Sequence, residues 1–500
     1  MRPAYWVGLL ILGTALLRVV LGWLVGLGID ESYMVAAGRE MAWGYFDHPP
    51  LSWWLSAGAA RLFGSEAALA VRLPFIALFA LSTWLMFAWT RDMFGARAGL
   101  WAAVTLNMAP VLGITTGGWV LPDGPLVAAL LGFGLCLHRA IERGGQDCAI
   151  ERGAWRWWLG AGACAGLALM SKYTAVLTFA GAFVALVTLG RHWLARPQPW
   201  VAALVAAVVF APVLVWNAAN GWASIAFQGA RAGVRKLNPG APFATLAGEA
   251  LFLLPWIWLP LAVLWVMALR GGQGGGGPGG RGPGGRAAWL LAWLGFGPIV
   301  LFVVISLWSP RVLFHWAAPG YLFLFPLLGR WIAGQIDARP VLARRALLGT
   351  AAVLLVSIGV ATAELNLNLL RLKGDPLRQG VDWRPLRAAL AQRGLLDQPI
   401  AAPSWSDTGK LDYALGGNPR VLCLNRDCRQ YAFHATTAGD AIGQDVLILA
   451  PRQDEARIRA DYGTLFDRIE TLPPAVYALP GRPRVEMNLF LGRRLREVPG

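Results

Sequence analysis

Charge is scarce in this 500-residue chain. Charged residues make up 14% of it and hydrophobic ones 56%, against roughly 25% and 45–50% in soluble proteins. A soluble enzyme of this length needs a polar shell that these residues do not supply, so that class is excluded. No repeat of solenoid type is present, which excludes a stacked-repeat binding surface. Acidic residues are fewer than basic ones, 28 against 44, leaving a net charge of +16. Nucleic acid as a partner would call for a basic stripe, yet up to Glu364 the basic residues fall mostly in short loops between apolar runs. What the chain does have is tryptophan, 26 copies, an amphipathic side chain suited to the interfaces of a bilayer.

A hydrocarbon core of ~30 Å takes about 20 helical residues to cross. Apolar runs of about that length occupy residues 5–28, 67–90, 98–115, 122–140, 156–171, 173–190, 200–216, 247–269, 288–308, 314–334 and 344–362. The expectation is a polytopic α-helical membrane protein with about eleven spans. Lys and Arg are retained on the cytoplasmic side. With the N-terminus inside, sixteen loop basic residues lie inside and eight outside, which fixes the orientation. The first run is long, carries Arg18 and lacks a small-residue cleavage site, so it reads as a span and not a signal peptide.

Residues 29–66 then form a long outside loop in which Ser32–Trp43 and Leu51–Phe63 mix aromatic, apolar and charged residues, a pattern of helices lying in the interface. The stretch Gly271–Gly285 reads as a flexible cytoplasmic linker. Residues 1–364 make the membrane domain. After Glu364 the composition turns soluble, with 19 Lys and Arg and 15 Asp and Glu in residues 365–500. Short apolar runs at Pro399–Pro403, Arg420–Leu424 and Asp445–Ala450 alternate with helix-like Trp383–Gln392 and Leu411–Leu415, which predicts a small α/β domain on the periplasmic side. Of five cysteines, Cys423 and Cys428 fall in that domain, where an oxidising compartment favours a disulfide. Free thiols and a metal site stay open as alternatives, with His434 the one further metal ligand type nearby.

Ionisable groups at membrane depth are costly and mark function. Asp30 and Glu31 close the first span, Tyr45, Asp47 and His48 lie in YFDHPP, Asp123 opens a span in LPDGP, Lys172 interrupts two apolar runs in SKYTA, and His315 follows SPRVLF. Each alone has a plain structural reading. The acids cap helices, His48 shapes a turn before two prolines, Lys172 snorkels to the headgroups and His315 packs in the interface. The topology count used only Lys and Arg, yet it sends the acids and histidines among these residues to the same outer boundary as Lys172. That coincidence predicts an active site there.

The segments DESYMVAAGREMAWGYFDHPPLSWWL (Asp30–Leu55), RLPF (Arg72–Phe75), RDMFGARAGL (Arg91–Leu100), LPDGPL (Leu121–Leu126), SKYTAVL (Ser171–Leu177), NGWASIAFQ (Asn220–Gln228) and HWAAPGYL (His315–Leu322) together resemble the bacterial family-39-type membrane glycosyltransferases. These are relatives of protein O-mannosyltransferases and of lipid A aminoarabinose transferase. The resemblance reaches more weakly into SWSDTGKLDYALGG (Ser404–Gly417). It implies the GT-C membrane fold, a polyprenyl-phosphate sugar as donor, an envelope lipid or glycan as acceptor, transfer with inversion, and a place in the bacterial inner membrane. It also implies that Asp30 with Glu31 is the first-loop acidic pair, Asp30 serving as base or acceptor-orienting carboxylate, and that Asp123 is the second acidic position. Aminoarabinose transferases usually show a Tyr-Phe-Glu-Lys-Pro-Pro type segment where this chain has Asp47 and His48.

Displacement at an anomeric carbon builds negative charge on a departing phosphate, and Lys172, His48, Arg231 and Arg235 are the cations for it. Oxygen and imidazole ligands at Asp30, Asp47, His48 and Asp123 suit several divalent metals, so a metal among them is a further expectation. A protein O-glycosyltransferase is the alternative within the enzyme class. A secondary transporter is the alternative outside it, and would place its ionisable residues near the bilayer midplane within paired repeats.

Overall fold

The structure is a computed structural model that describes residues 2–143, 148–233, 236–271, 285–310, 312–369, 380–477 and 485–499. The chain divides into two compact units, one of residues 1–18, 48–52 and 73–355, the other of residues 19–47, 53–72 and 356–500.

The first unit is a bundle of apolar helices. Among the described residues seven helices in the chain are long and apolar enough to cross a membrane, or nine if each of two bent pairs is one span. All eleven apolar runs are helical, but three depart from single straight spans and a fourth is too weakly apolar to count. Run 98–115 bends by 80° between Ala96–Met108 and Val111–Gly118, and run 247–269 bends by 116° between Ala241–Leu253 and Pro255–Gly271. Run 156–171 sits in a 24-residue helix, Cys148–Ser171, whose apolar stretch is shortened by Arg156 and diluted by small residues. Run 314–334 is cut by prolines into a 3-10 turn Phe314–Ala317, a short helix Ala318–Leu322 and the helix Phe325–Ala338. The expected count of eleven therefore resolves to seven to nine by this measure.

Burial separates these helices by role. The apolar window of Asp123–Glu142 is 83% buried, that of Pro3–Leu24 only 11%. The first therefore runs through the bundle interior, and the second offers most of its apolar surface to lipid. Neighbours approach closely through glycine, as membrane helices do when van der Waals contact replaces the hydrophobic effect. A Cβ at Gly166 would stand 2.5 Å from Val209 Cβ, and one at Gly297 2.9 Å from the Leu177 carbonyl carbon. Arg18, a cation inside a span, is satisfied by the bent pair. Its guanidinium donates to the Gly113 carbonyl at 2.7 Å and to Asn107 Oδ1 at 3.2 Å, and it stacks 4.4 Å above the Phe79 ring. That carbonyl belongs to the π-helical turn Val111–Thr115.

The second unit is built on a five-stranded mixed sheet, order β2-β1-β3-β5-β4, of β1 (Ile400–Ala402), β2 (Val421–Cys423), β3 (Val446–Ala450), β4 (Phe466–Tyr477) and β5 (Val485–Leu495). β1 pairs in parallel with β2 and β3, while β5 runs antiparallel to β3 and β4. Alternate residues feed two cores, Ile400 and Leu447 on one face and Ala401 and Ile448 on the other. Cys423 and Cys428 are joined in a disulfide. The first-loop helix, expected over Ser32–Trp43, instead runs Ile29–Ala37, and Glu31 to Ala37 are buried. It is a packed element and not one lying free in an interface. Its burial comes from the helix Trp405–Leu415, where a Cβ on Gly409 would stand 2.7 Å from Tyr33 Cα. The linker expected at Gly271–Gly285 lies, between its end residues, outside the described residues.

Candidate functional site

In the membrane unit, Asp123 begins the buried helix Asp123–Arg143, whose positive N-terminal end favours a carboxylate. Lys172 follows the helix Cys148–Ser171 and donates from Nζ to Asp123 Oδ1 at 2.9 Å. The turn carrying Lys172 is held by the next residue. The Tyr173 hydroxyl lies 2.7 Å from Ser224 Oγ, and Asn217 Nδ2 donates to it at 3.4 Å. His48 and His315 both lie within electrostatic range of Asp123, and His315 also within range of Lys172 and Arg231. Arg231, at the end of the helix Ala223–Arg231, places its guanidinium 4.6 Å over the Trp316 ring. One carboxylate thus stands with an ammonium, a guanidinium and two imidazoles, an excess of basic groups in a low-dielectric setting.

An ammonium has three N–H donors. Among the described residues the Lys172 Nζ donates to Asp123 alone. The pair is mostly buried, with side-chain exposures of 10% and 16%. A buried cation with donor capacity left over is arranged to take an anionic ligand as well as its partner.

In the other unit, Glu31 is locked. Arg72 donates to both of its carboxylate oxygens, at 2.8 and 2.6 Å, with both side chains 3% exposed. Glu31 also accepts from the Gly28 N–H at 2.9 Å, closing a capping box on its own helix. Its neighbour Asp30 is exposed. The two adjacent acids therefore separate, one used to hold the turn and one presented to solvent. Asp47 is buried between Arg429 at 3.2 Å and the Tyr33 hydroxyl, which donates to it at 3.2 Å. Burial pushes its carboxyl above the usual range, with Arg429 opposing. Tyr45 is fully buried, stacked on Trp53 with ring centroids 4.3 Å apart, so it serves packing.

The metal expected among Asp30, Asp47, His48 and Asp123 is not supported. Among the described residues no group of three or more His, Cys, Asp or Glu side chains is placed to hold a metal ion. The physical reason is that the carboxylates of Asp47 and Asp123 are each neutralised by an N–H cation. Arg235 lies outside the described residues. Sequence reasoning missed Arg429, the partner of Asp47, and it missed Glu249. That acid, in the helix Ala241–Leu253, accepts from the Tyr321 hydroxyl at 2.8 Å, which in turn accepts from Trp258 Nε1 at 2.9 Å. A single acid inside the apolar run 247–269 was the available signal for it.

Residues 47–216, which include the Asp123–Lys172 pair, match the family model for dolichyl-phosphate-mannose-protein mannosyltransferase. No curated protein sequence matches the chain. Among solved structures it is similar to ArnT from Cupriavidus metallidurans in the apo state, with 15% identity over 97% of each chain and a TM-score of 0.63. It is similar also to that protein bound to undecaprenyl phosphate, with 18% identity, the same coverage and the same TM-score. The Archaeoglobus fulgidus oligosaccharyltransferase in complex with Zn and sulfate matches at 12% identity and a TM-score of 0.51, over 90% of this chain and 69% of that one. The shared fold is GT-C, the fold of membrane glycosyltransferases.

Proposed function

We propose that this chain, a multi-pass membrane protein with the GT-C glycosyltransferase fold, moves a sugar from a polyprenyl-phosphate donor to an envelope lipid or glycan at the periplasmic face of a bacterial inner membrane. The acceptor class is lipid A, lipopolysaccharide or another glycolipid. The observation that carries this reading is the buried Lys172, whose ammonium donates once among the described residues and keeps further N–H donors beside Arg231 and two imidazoles. A phosphate monoester fits that excess of basic groups. ArnT, similar in fold, is described in a structure bound to undecaprenyl phosphate, which supports the choice of carrier.

The step forms one bond and breaks one. The acceptor oxygen bonds to the anomeric carbon while the bond from that carbon to the phosphate oxygen breaks, and its electron pair leaves on the carrier phosphate. A single displacement of this kind inverts the anomeric centre. Lys172 and Arg231, with His48 when protonated, stabilise the departing phosphate. Asp123 holds the Lys172 ammonium in place. Asp30 is the carboxylate that takes the proton of a hydroxyl acceptor. A second reading, protein O-mannosyl transfer, is favoured by the family description matched over residues 47–216.

Detergent-purified protein incubated with labelled polyprenyl-phosphate sugar, and with either an envelope lipid extract or Ser/Thr-containing peptides, tests both. Label passing to lipid supports the first reading and label passing to peptide the second. A protein that releases no sugar from any such donor, with either acceptor, overturns both.

A further inference from the structure

The chain leaves the helix Pro3–Leu24 through residues 25–28 before the helix Ile29–Ala37 begins. Carbonyls at such a helix end have lost their intrahelical partners. Here three successive ones are gripped by side-chain cations. Arg72 donates to the Val25 carbonyl at 2.7 Å and to the Gly26 carbonyl at 3.0 Å, and Lys410 donates to the Leu27 carbonyl. Asp30 follows three residues later. Arg72 is also tied to Glu31, so both cations act on the segment flanking Asp30.

Lys410 sits on the helix Trp405–Leu415, which Gly409 brings against the backbone of Tyr33. It is 2% exposed, with its ammonium 5.8 Å from the Trp383 ring centroid. The same wall closes over Gly26, where a Cβ would stand 3.0 Å from the Asp382 nitrogen and 3.1 Å from the Gly380 carbonyl. A lysine buried this deeply loses most of its hydration, a cost that ordinary packing does not require. A leucine or methionine would fill the same space.

We propose that Lys410 is a positioning residue for Asp30: by holding the Leu27 carbonyl beside the two held by Arg72, it fixes the turn that sets the acceptor-side carboxylate. This rests on the reading of Asp30 given above. The C-terminal part of the chain thereby contributes to turnover without touching substrate. Charge strengthens the grip on a carbonyl, so the grip weakens when Lys410 loses its proton. Burial brings its ammonium down to about 8, with Asp382 and Glu31 opposing that shift and Arg72 adding to it. Turnover by the native protein should therefore fall as pH rises past about 8.

The test compares purified full-length protein with Lys410→Met, Lys410→Arg and Asp30→Asn across pH 6–10 in the labelled-donor assay. Lys410→Met is expected to lower kcat about 10- to 100-fold, the scale of a misplaced reacting group, with the donor KM unchanged. Lys410→Arg is expected to restore most of kcat and to abolish the fall above about pH 8, because a guanidinium does not titrate there. Lys410→Met at the native rate, with Asp30→Asn inactive, overturns the positioning role and leaves the functional reading intact. Near-normal turnover by Asp30→Asn overturns that reading itself. Should Lys410→Met fail to fold, the native and Lys410→Arg pH profiles decide. An alkaline limb kept unchanged in Lys410→Arg refutes the proposal.

Discussion

The two units each bury an acid against a base, and they do so to different ends. In the α/β unit the Arg72 guanidinium donates to Glu31 twice and to two backbone carbonyls, so its donors are directed to protein atoms and both side chains are 3% exposed. In the membrane unit the Lys172 ammonium donates to Asp123 alone among the described residues, and the pair keeps 10% and 16% exposure. A saturated buried pair holds structure, since removing one partner strands a charge in a low dielectric. An unsaturated one keeps the capacity to bind. Sequence proximity to an acidic motif does not separate these cases, whereas the count of donors and their partners does.

The largest effect expected is on activity at the exposed acid beside the saturated pair. Asp30→Asn keeps the shape and loses the base, so transfer to a hydroxyl acceptor should fall about 10²–10⁴-fold, with thermal unfolding unchanged. A loss of stability in place of activity would make Asp30 a structural acid like its neighbour Glu31. The comparison itself is tested next by two substitutions measured together. Arg72→Met should cost about 3–5 kcal/mol by leaving Glu31 buried and uncompensated, read as a lowered unfolding midpoint in detergent. Lys172→Ala leaves the less buried Asp123 without its partner, so it should lower the midpoint by less than Arg72→Met, and it should weaken donor binding, raising the donor KM and lowering kcat/KM by roughly 10- to 100-fold, the worth of a charge-assisted contact to phosphate. Equal destabilisation by both variants would erase the distinction.

The smallest effect concerns a second buried acid of the α/β unit. Asp412 pairs with Arg39 at 3.2 Å, while among the described residues its buried Oδ1 has no hydrogen-bond partner. Burial raises its carboxyl to about 6, with Arg39 opposing. The native state then keeps a proton that the unfolded chain has lost above about pH 4, so stability is greatest below that and falls as pH rises towards about 6. Asp412→Asn should flatten the unfolding midpoint between those pH values, followed by tryptophan fluorescence. An unchanged slope in the variant would assign it to another group.

The legible part of this chain is the part whose physics is local. Apolar runs marked every membrane helix, and the short runs at Pro399–Pro403, Arg420–Leu424 and Asp445–Ala450 coincide with β1, β2 and β3. The hairpin of β4 and β5 was not read. Pro473 and Pro474 lie in β4 at the register shift between Leu472 and Ala475, and Asp467, Arg468 and Glu470 break up its apolar alternation. The candidate residues were legible as types, a Lys between apolar runs and an Asp before a helix, because ionisable groups are rare there.

Which of those residues are bound, and to what, was decided by the tertiary structure alone. Glu31 meets Arg72 across 41 positions, Asp123 meets Lys172 across 49, and Asp47 meets Arg429 across 382. Hydropathy fixes helix and strand because burial of a side chain depends mainly on its own run of neighbours. The role of a buried charge depends on how many of its hydrogen-bonding positions are filled, and the groups that fill them arrive only when the chain folds.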